Sequence, residues 1–159
     1  MFIYTLGFIK KGNEVLLINR YHKPWMGSWN GLGGKIKPHE TPKEAIQREI
    51  KEEANIILKH HQIQDKGFLT WNSFDANGQG LWLFLIELDP EEDVQITLKT
   101  EEGLLEWKSI DWILNPANTG IAENIPFFLP DLLYDQKSYH FHCIFDQKHL
   151  KHVERKPIK

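Results

Sequence analysis

An α/β fold is the class this sequence predicts, on three observations. Strand-like runs rich in aromatic and β-branched residues recur along the chain, Thr41 to Asn55 carries both a helix start and a helix stop, and a second helical pattern runs from about Ala122 to Tyr134. At 159 residues, 41% hydrophobic and 26% charged, the chain has the size and composition of one globular domain, and 1–159 is read as that single domain.

Phe2 to Lys10 is rich in aromatic and β-branched residues and reads as a strand, with Lys11-Gly12-Asn13 as a turn. Glu14 to Arg20 is a second strand, whose apolar run Val15 to Ile18 predicts burial on both faces and a hairpin with the first. Tyr21 to Trp29 is a loop broken by Pro24, Gly27 and Ser28; it carries Trp25, a candidate for a pocket rim, and Trp29, equally suited to core packing or ligand stacking.

The helix that follows is legible residue by residue. Thr41 with Glu44 three positions on is a capping box, and Pro42 falls on the first helical position, where its missing N–H costs nothing. Asn55 suits the left-handed residue that ends a helix. Ile46, Ile50 and Ala54 form an apolar stripe, and Glu49, Glu52 and Glu53 converge beside it at i, i+3 and i+4. Three carboxylates so close repel one another and stay ionised most easily around a hard divalent cation, with magnesium or manganese the natural occupant. A solvated charged face is the competing reading. The capped start and the glycine-rich approach Gly31, Gly33, Gly34 weigh against it.

Ile57 to His61 and Gly67 to Phe74 read as strands around a polar bend, Gln62 to Lys66, and Asp75 to Gly78 as a hairpin turn. Leu81 to Leu88 is apolar on both faces, as a central strand would be. Asp89 to Asp93 is an acidic loop, Leu104 to Ile110 a short strand and Asp111 to Leu114 a helical turn. The helix from Ala122 is interrupted by Pro126 and Pro130, so an irregular first part is expected. Ser138 to Phe145 and His149 to Glu154 read as a closing hairpin.

Across Gly34 to Ile56 the residues Gly34, Glu40, Arg48, Glu49, Ile50, Glu52, Glu53 and Ile56 follow the spacing G-x5-E-x7-R-E-U-x-E-E-x-G-U, where U is aliphatic and Asn55 stands at the late glycine. This resembles the Nudix box, the signature of hydrolases that cleave nucleoside diphosphates linked to another group. The resemblance implies an α/β/α sandwich with a mixed sheet between helices. It also implies that Glu49, Glu52 and Glu53 are metal ligands, joined by the carbonyl of Gly33 and by Glu102 from outside the box, with Glu101 a competitor for that last place. Arg48 then orients the glutamates and Glu40 is structural. Glu49 is a candidate base for the attacking water, although which carboxylate serves differs among members. The segment SWNGLGGKI is similar to the MutT-like branch, which hydrolyses oxidised purine triphosphates such as 8-oxo-dGTP to the monophosphate and pyrophosphate. In that branch an asparagine in the place of Asn30 can touch the purine, and Asn124 lies near where one member reads the base. An aspartate pair that another member uses there is absent.

The formal net charge of −3 provides no basic field for polymeric nucleic acid, and the small nucleotide expected as partner is what the resemblance implies. The basic stretch Lys148 to Lys159 reads as a solvated terminus. Cys143 is the one cysteine and reads as a buried thiol. The apolar opening MFIYTLGFI lacks a basic start and a small-residue cleavage site and is too short to span a bilayer, so a cytoplasmic protein is expected, and its small size makes a monomer the default. His140 and His142 alternate on a strand without a third ligand at suggestive spacing, favouring packing or surface roles. Three readings follow: a pyrophosphohydrolase of oxidised purine nucleotides, a hydrolase of another substrate (ADP-ribose, a dinucleoside polyphosphate, an RNA 5′ end), or a binding module without hydrolysis.

Overall fold

The computed structural model describes residues 2–22, 26–72, 80–147 and 149–158. Their order is β1 (Tyr4–Lys11), β2 (Glu14–Arg20), β3 (Trp29–Asn30), α1 (Pro42–Ala54), a 3-10 turn (His60–Gln62), β4 (Ile63–Trp71), β5 (Gly80–Leu88), β6 (Gly103–Ser109), α2 (Ile110–Leu114), α3 (Ile125–Tyr134), β7 (Tyr139–Asp146) and β8 (His149–Pro157). All eight strands share one mixed sheet, ordered β3-β2-β1-β5-β4-β7-β8, with β6 on β2.

The hairpin of β1 and β2 forms, but only from Ile9↔Leu16 to Lys11↔Glu14. Beyond those pairs the strands diverge. The main partner of β1 is β5, parallel from Tyr4↔Leu81 to Lys11↔Leu88, while β2 runs antiparallel to β6 from Glu14↔Ser109 to Arg20↔Gly103. The edge of β1 that β2 vacates is taken up by the glycine-rich segment: Gly7 N donates to Leu32 O at 2.6 Å, Thr5 N to Gly34 O at 2.9 Å and Ile36 N to Ile3 O at 2.7 Å. At Gly33 this approach demands glycine, because φ is +153° and an added Cβ would lie 2.1 Å from the Thr5 carbonyl oxygen.

Alternation along the strands builds two cores. Leu16, Ile18, Ile46, Ile50, Ala54 and Phe84 bury one face under α1. Phe8, Val15, Leu17, Leu85, Ile113 and Phe128 bury the other under α2 and α3. The result is the expected α/β/α sandwich, and Val15 to Ile18 are buried on both faces.

Three local expectations change. Ile57 to His61 is not a strand: Gln62 turns back, its N–H donating to Lys59 O and its side-chain Oε1 accepting from Lys59 N, and a 3-10 turn results. The polar bend Gln62 to Lys66 lies mostly in β4, which starts at Ile63 and absorbs its irregularity as a bulge between Asp65 and Phe68, where Gly67 has φ +99°. The closing strand reaches Pro157, so most of the basic stretch is an exposed edge strand. The expected turn at Asp75 to Gly78 lies outside the described residues. Helix α3 starts only at Ile125, which agrees with an irregular first part, and holds Pro130 inside it. No helix among the described residues is long and apolar enough to cross a membrane.

Candidate active site

Helix α1 carries the caps its sequence implies. Thr41 Oγ1 accepts from Glu44 N at 3.1 Å, Glu44 Oε2 accepts from Thr41 N at 2.8 Å, and Asn55 ends the helix at φ 56°, ψ 34°. With Ile46 and Ile50 fully buried, the phase of the helix is set, and it turns Glu53 inward toward the glycine loop. Glu53 has 5% side-chain exposure, Glu49 16% and Glu52 54%, so the three carboxylates step from core to solvent.

Two arginines divide them. Arg48 Nε and Nη2 donate to Glu40 at 2.7 and 2.8 Å, and Nη1 donates to Glu49 Oε1 at 2.9 Å and Glu52 Oε2 at 3.3 Å. This pairing holds the Glu40 carboxyl down at about 2 and keeps Arg48 charged at any working pH. On the inner side, Arg20 Nη2 donates to Glu53 Oε2 at 3.5 Å and to Gly33 O at 3.3 Å, and Gly33 N donates to Glu53 Oε1 at 3.2 Å. Burial pushes Glu53 up to about 7; Arg20 and the Gly33 N–H oppose the rise, and the charges of Glu49 and Glu102 add to it. Glu102 is drawn in by β6: its carbonyl accepts from Tyr21 N at 3.1 Å, beside the Arg20↔Gly103 pair.

Arg20 is the member sequence reasoning did not single out. The signal was its spacing, two residues past Ile18, which puts it on the α1 face of β2. Thr5 also joins the loop, its hydroxyl donating to Gly34 O at 3.2 Å.

Among the described residues, no three His, Cys, Asp or Glu side chains stand gathered as a metal cluster. Arg48 holds Glu49 at 2.9 Å and Glu52 at 3.3 Å, while Glu53 pairs with Arg20 instead. The donor chemistry nevertheless suits a hard divalent cation. Glu49, Glu52, Glu53, Glu102 and the Gly33 carbonyl offer oxygen alone, and Glu53 is a buried carboxylate whose charge needs a cation.

The base-reading candidates are placed separately. Asn30, 5% exposed, pairs across from Ile18, and its Oδ1 accepts from Gly31 N at 2.8 Å. Asn124, 6% exposed, precedes α3 and points its Nδ2 at Cys143 Sγ, 4.0 Å away. Backbone bonds from Trp29 N to Gly120 O (2.8 Å) and from Ala122 N to Trp29 O (3.0 Å) tie the segment leading to Asn124 to β3. Trp29 packs on the α2 side, with Lys108 Nζ 4.4 Å from its ring centroid and 4.6 Å from that of Trp112. Trp25 lies outside the described residues. His140 and His142 both hydrogen-bond to Thr70 Oγ1, at 2.7 and 2.8 Å, and Cys143 is fully buried, with its thiol pushed up to about 11.

A mixed sheet lies between helices, and the capped helix α1 sets its buried glutamate against the glycine loop. The NUDIX domain matches residues 4–128, and the chain belongs to the Nudix family of hydrolases. It is 45% identical over 53 residues to the ADP-ribose pyrophosphatase of Methanocaldococcus jannaschii, spanning 33% of this chain and 31% of that protein. It is 45% identical over 49 residues to the human 8-oxo-dGDP phosphatase NUDT18, spanning 31% and 15%. The matched stretch thus covers less than a third of either relative. The uncharacterized Nudix hydrolase YvcI of Bacillus subtilis is 28% identical across 76% of this chain and 75% of its own. Among solved structures, the MutT protein from Bacillus halodurans superposes with a TM-score of 0.74 at 24% identity, covering 96% of each chain. A Francisella tularensis NMN adenylyltransferase/ADP-ribose pyrophosphatase, complexed with AMP and a manganese ion, superposes at 0.63 and 21% identity over 82% of this chain and 42% of that one.

Proposed function

We propose that this chain, as a single domain over 1–159, is a divalent-metal-dependent pyrophosphohydrolase. Its proposed substrates are oxidised purine nucleoside triphosphates, of which 8-oxo-dGTP is the type, released as monophosphate and pyrophosphate. The observation that carries the reading is Glu53: a carboxylate buried at the end of the box helix, accepting from the Gly33 N–H and linked through Arg20 to the Gly33 carbonyl, with burial raising its pKa and the charges of Glu49 and Glu102 adding to the rise.

Gly33 O, Glu49, Glu52, Glu53 and Glu102 would hold the metal, magnesium in the cell with manganese able to substitute. When bound, the ion supplies neutralisation of the phosphate oxygens in the displacement. One of the carboxylates, Glu49 or Glu53, takes a proton from the attacking water as a phosphoanhydride bond breaks and pyrophosphate leaves. Arg48 keeps Glu49 and Glu52 in place through its ion pairs. Asn30, Asn124 and Trp25 are the proposed contacts to the base, an amide offering both a donor and an acceptor to a purine edge. A net charge of −3 supports a small nucleotide over a polymer, and a cytoplasmic monomer remains the proposed state.

A second reading, hydrolysis of ADP-ribose or a related diphosphate, is favoured by the 45% identity over 53 residues to the Methanocaldococcus enzyme. The deciding experiment is turnover of 8-oxo-dGTP, dGTP, ATP, ADP-ribose and a dinucleoside polyphosphate, with magnesium and with EDTA, for the wild type and Glu53→Gln. Metal-dependent preference for the oxidised purine, lost in Glu53→Gln, supports the proposal. Preference for ADP-ribose transfers it to the second reading. Absence of turnover with every substrate overturns both in favour of a binding module.

A further inference from the structure

Arg20 sits on the two oxygens that the proposed function assigns to the metal. One nitrogen, Nη2, lies 3.3 Å from Gly33 O and 3.5 Å from Glu53 Oε2. The strand fixes this: Leu16 and Ile18 point into the core beneath α1, so Arg20, two residues on, points the same way at the end of β2. The other arginine of the site does not share the task. Arg48 engages Glu40, Glu49, Glu52 and the Lys35 carbonyl, on the outer side of the helix.

Among the described residues, Glu53 has two hydrogen-bonding partners, the Gly33 N–H and Arg20. A carboxylate with 5% side-chain exposure cannot stay charged without a cation or a full set of donors. Arg20, with 19% side-chain exposure, keeps access to solvent, and its long stem lets the head group leave without moving the strand. Each of these oxygens has a second lone pair, so the competition is one of charge and space: the guanidinium head at Gly33 O and Glu53 Oε2 puts a positive charge beside the two oxygens a divalent ion would take, and the two cations repel.

We infer that Arg20 is an exchangeable resident cation: it neutralises Glu53 and caps the Gly33 carbonyl in the metal-free protein, and it withdraws when the metal binds. It is a positioning residue, keeping a buried anionic site folded while empty and setting a threshold for metal affinity. This rests on the metal-site reading above. Competition lowers the apparent affinity by the fraction of protein in which the site is free. If Arg20 is engaged in about four-fifths of the metal-free molecules, its removal tightens binding about fivefold.

The test is manganese binding followed by electron paramagnetic resonance, with thermal unfolding in EDTA and in saturating manganese, for the wild type, Arg20→Gln, Arg20→Lys and Glu53→Gln. Expected are a lower melting temperature for Arg20→Gln in EDTA, a gap that closes in manganese, and manganese binding tighter by about fivefold, with Arg20→Lys between the two. Equal or weaker manganese binding by Arg20→Gln, or a melting gap unchanged by metal, overturns the inference while leaving the metal site intact. Manganese binding that is absent in the wild type, or indifferent to Glu53→Gln, overturns the metal-site reading itself and this inference with it. Should Arg20→Gln fail to fold even in manganese, Arg20→Lys decides through the affinity measurement alone.

Discussion

Arg48 and Glu40 are joined by two parallel hydrogen bonds, Nε to Oε2 at 2.7 Å and Nη2 to Oε1 at 2.8 Å, which leaves Nη1 to reach Glu49 and Glu52. A planar fork meets a carboxylate this way and a lysine ammonium cannot. Arg48→Lys is therefore expected to cost about 1–2 kcal/mol of stability by urea unfolding and to lower kcat more than it raises KM. A variant with wild-type stability and turnover would remove Arg48 from its positioning role.

Adjacent glycines separate folding from function. At Gly33 an added Cβ would meet the Thr5 carbonyl oxygen at 2.1 Å, with φ at +153°, so Gly33→Ala should lose about 3 kcal/mol or more. At Gly34 the clash is with Glu49 Oε1 at 2.5 Å, the end of a flexible side chain. Gly34→Ala should fold, displace Glu49 and lose about 100-fold in kcat. Circular dichroism and turnover on the pair check both outcomes.

Stability of the metal-free protein should carry the mark of Glu53. Burial raises its pKa from 4.5 to about 7, so between those values the unfolded chain has released a proton that the folded one keeps. Its contribution is present below pH 4.5 and is lost as pH rises through about 7. In EDTA, Glu53→Gln should gain on the wild type by about 3 kcal/mol between pH 4.5 and pH 8. A difference in urea stability that stays constant with pH would contradict this account.

Substrate choice is tested at Asn30 and Asn124. Asn30→Ala is expected to reduce the ratio of kcat/KM for 8-oxo-dGTP over dGTP by about tenfold. Asn124→Ala should do so less, since its amide faces Cys143 Sγ. An unchanged ratio in both would move base reading to other residues.

At the helix end, Asn55 holds φ 56°. Asn55→Gly should leave stability within a few tenths of a kcal/mol or raise it, and Asn55→Val should lower it by about 1–2 kcal/mol in thermal unfolding.

The features legible in the residues alone are those governed by neighbours along the chain. Thr41, Pro42, Glu44 and Asn55 set the two ends of α1 through contacts within a few residues, and Ile46, Ile50 and Ala54 set its buried face. The strand Glu14–Arg20 was legible because four consecutive apolar residues need cover on both sides. Gln62 to Lys66 misled because a bulged strand and a polar bend share the same residues, and only pairing with Ile86, Leu85 and Phe84 separates them. Tertiary structure alone decided that β1 pairs mainly with β5 and β2 with β6, because backbone hydrogen bonds carry no residue identity. It alone placed Arg20 against Glu53, 33 positions apart in the chain. It also set the pKa of Glu53, since burial and the fields of Arg20, Glu49 and Glu102 exist only once β2, β6 and α1 have met.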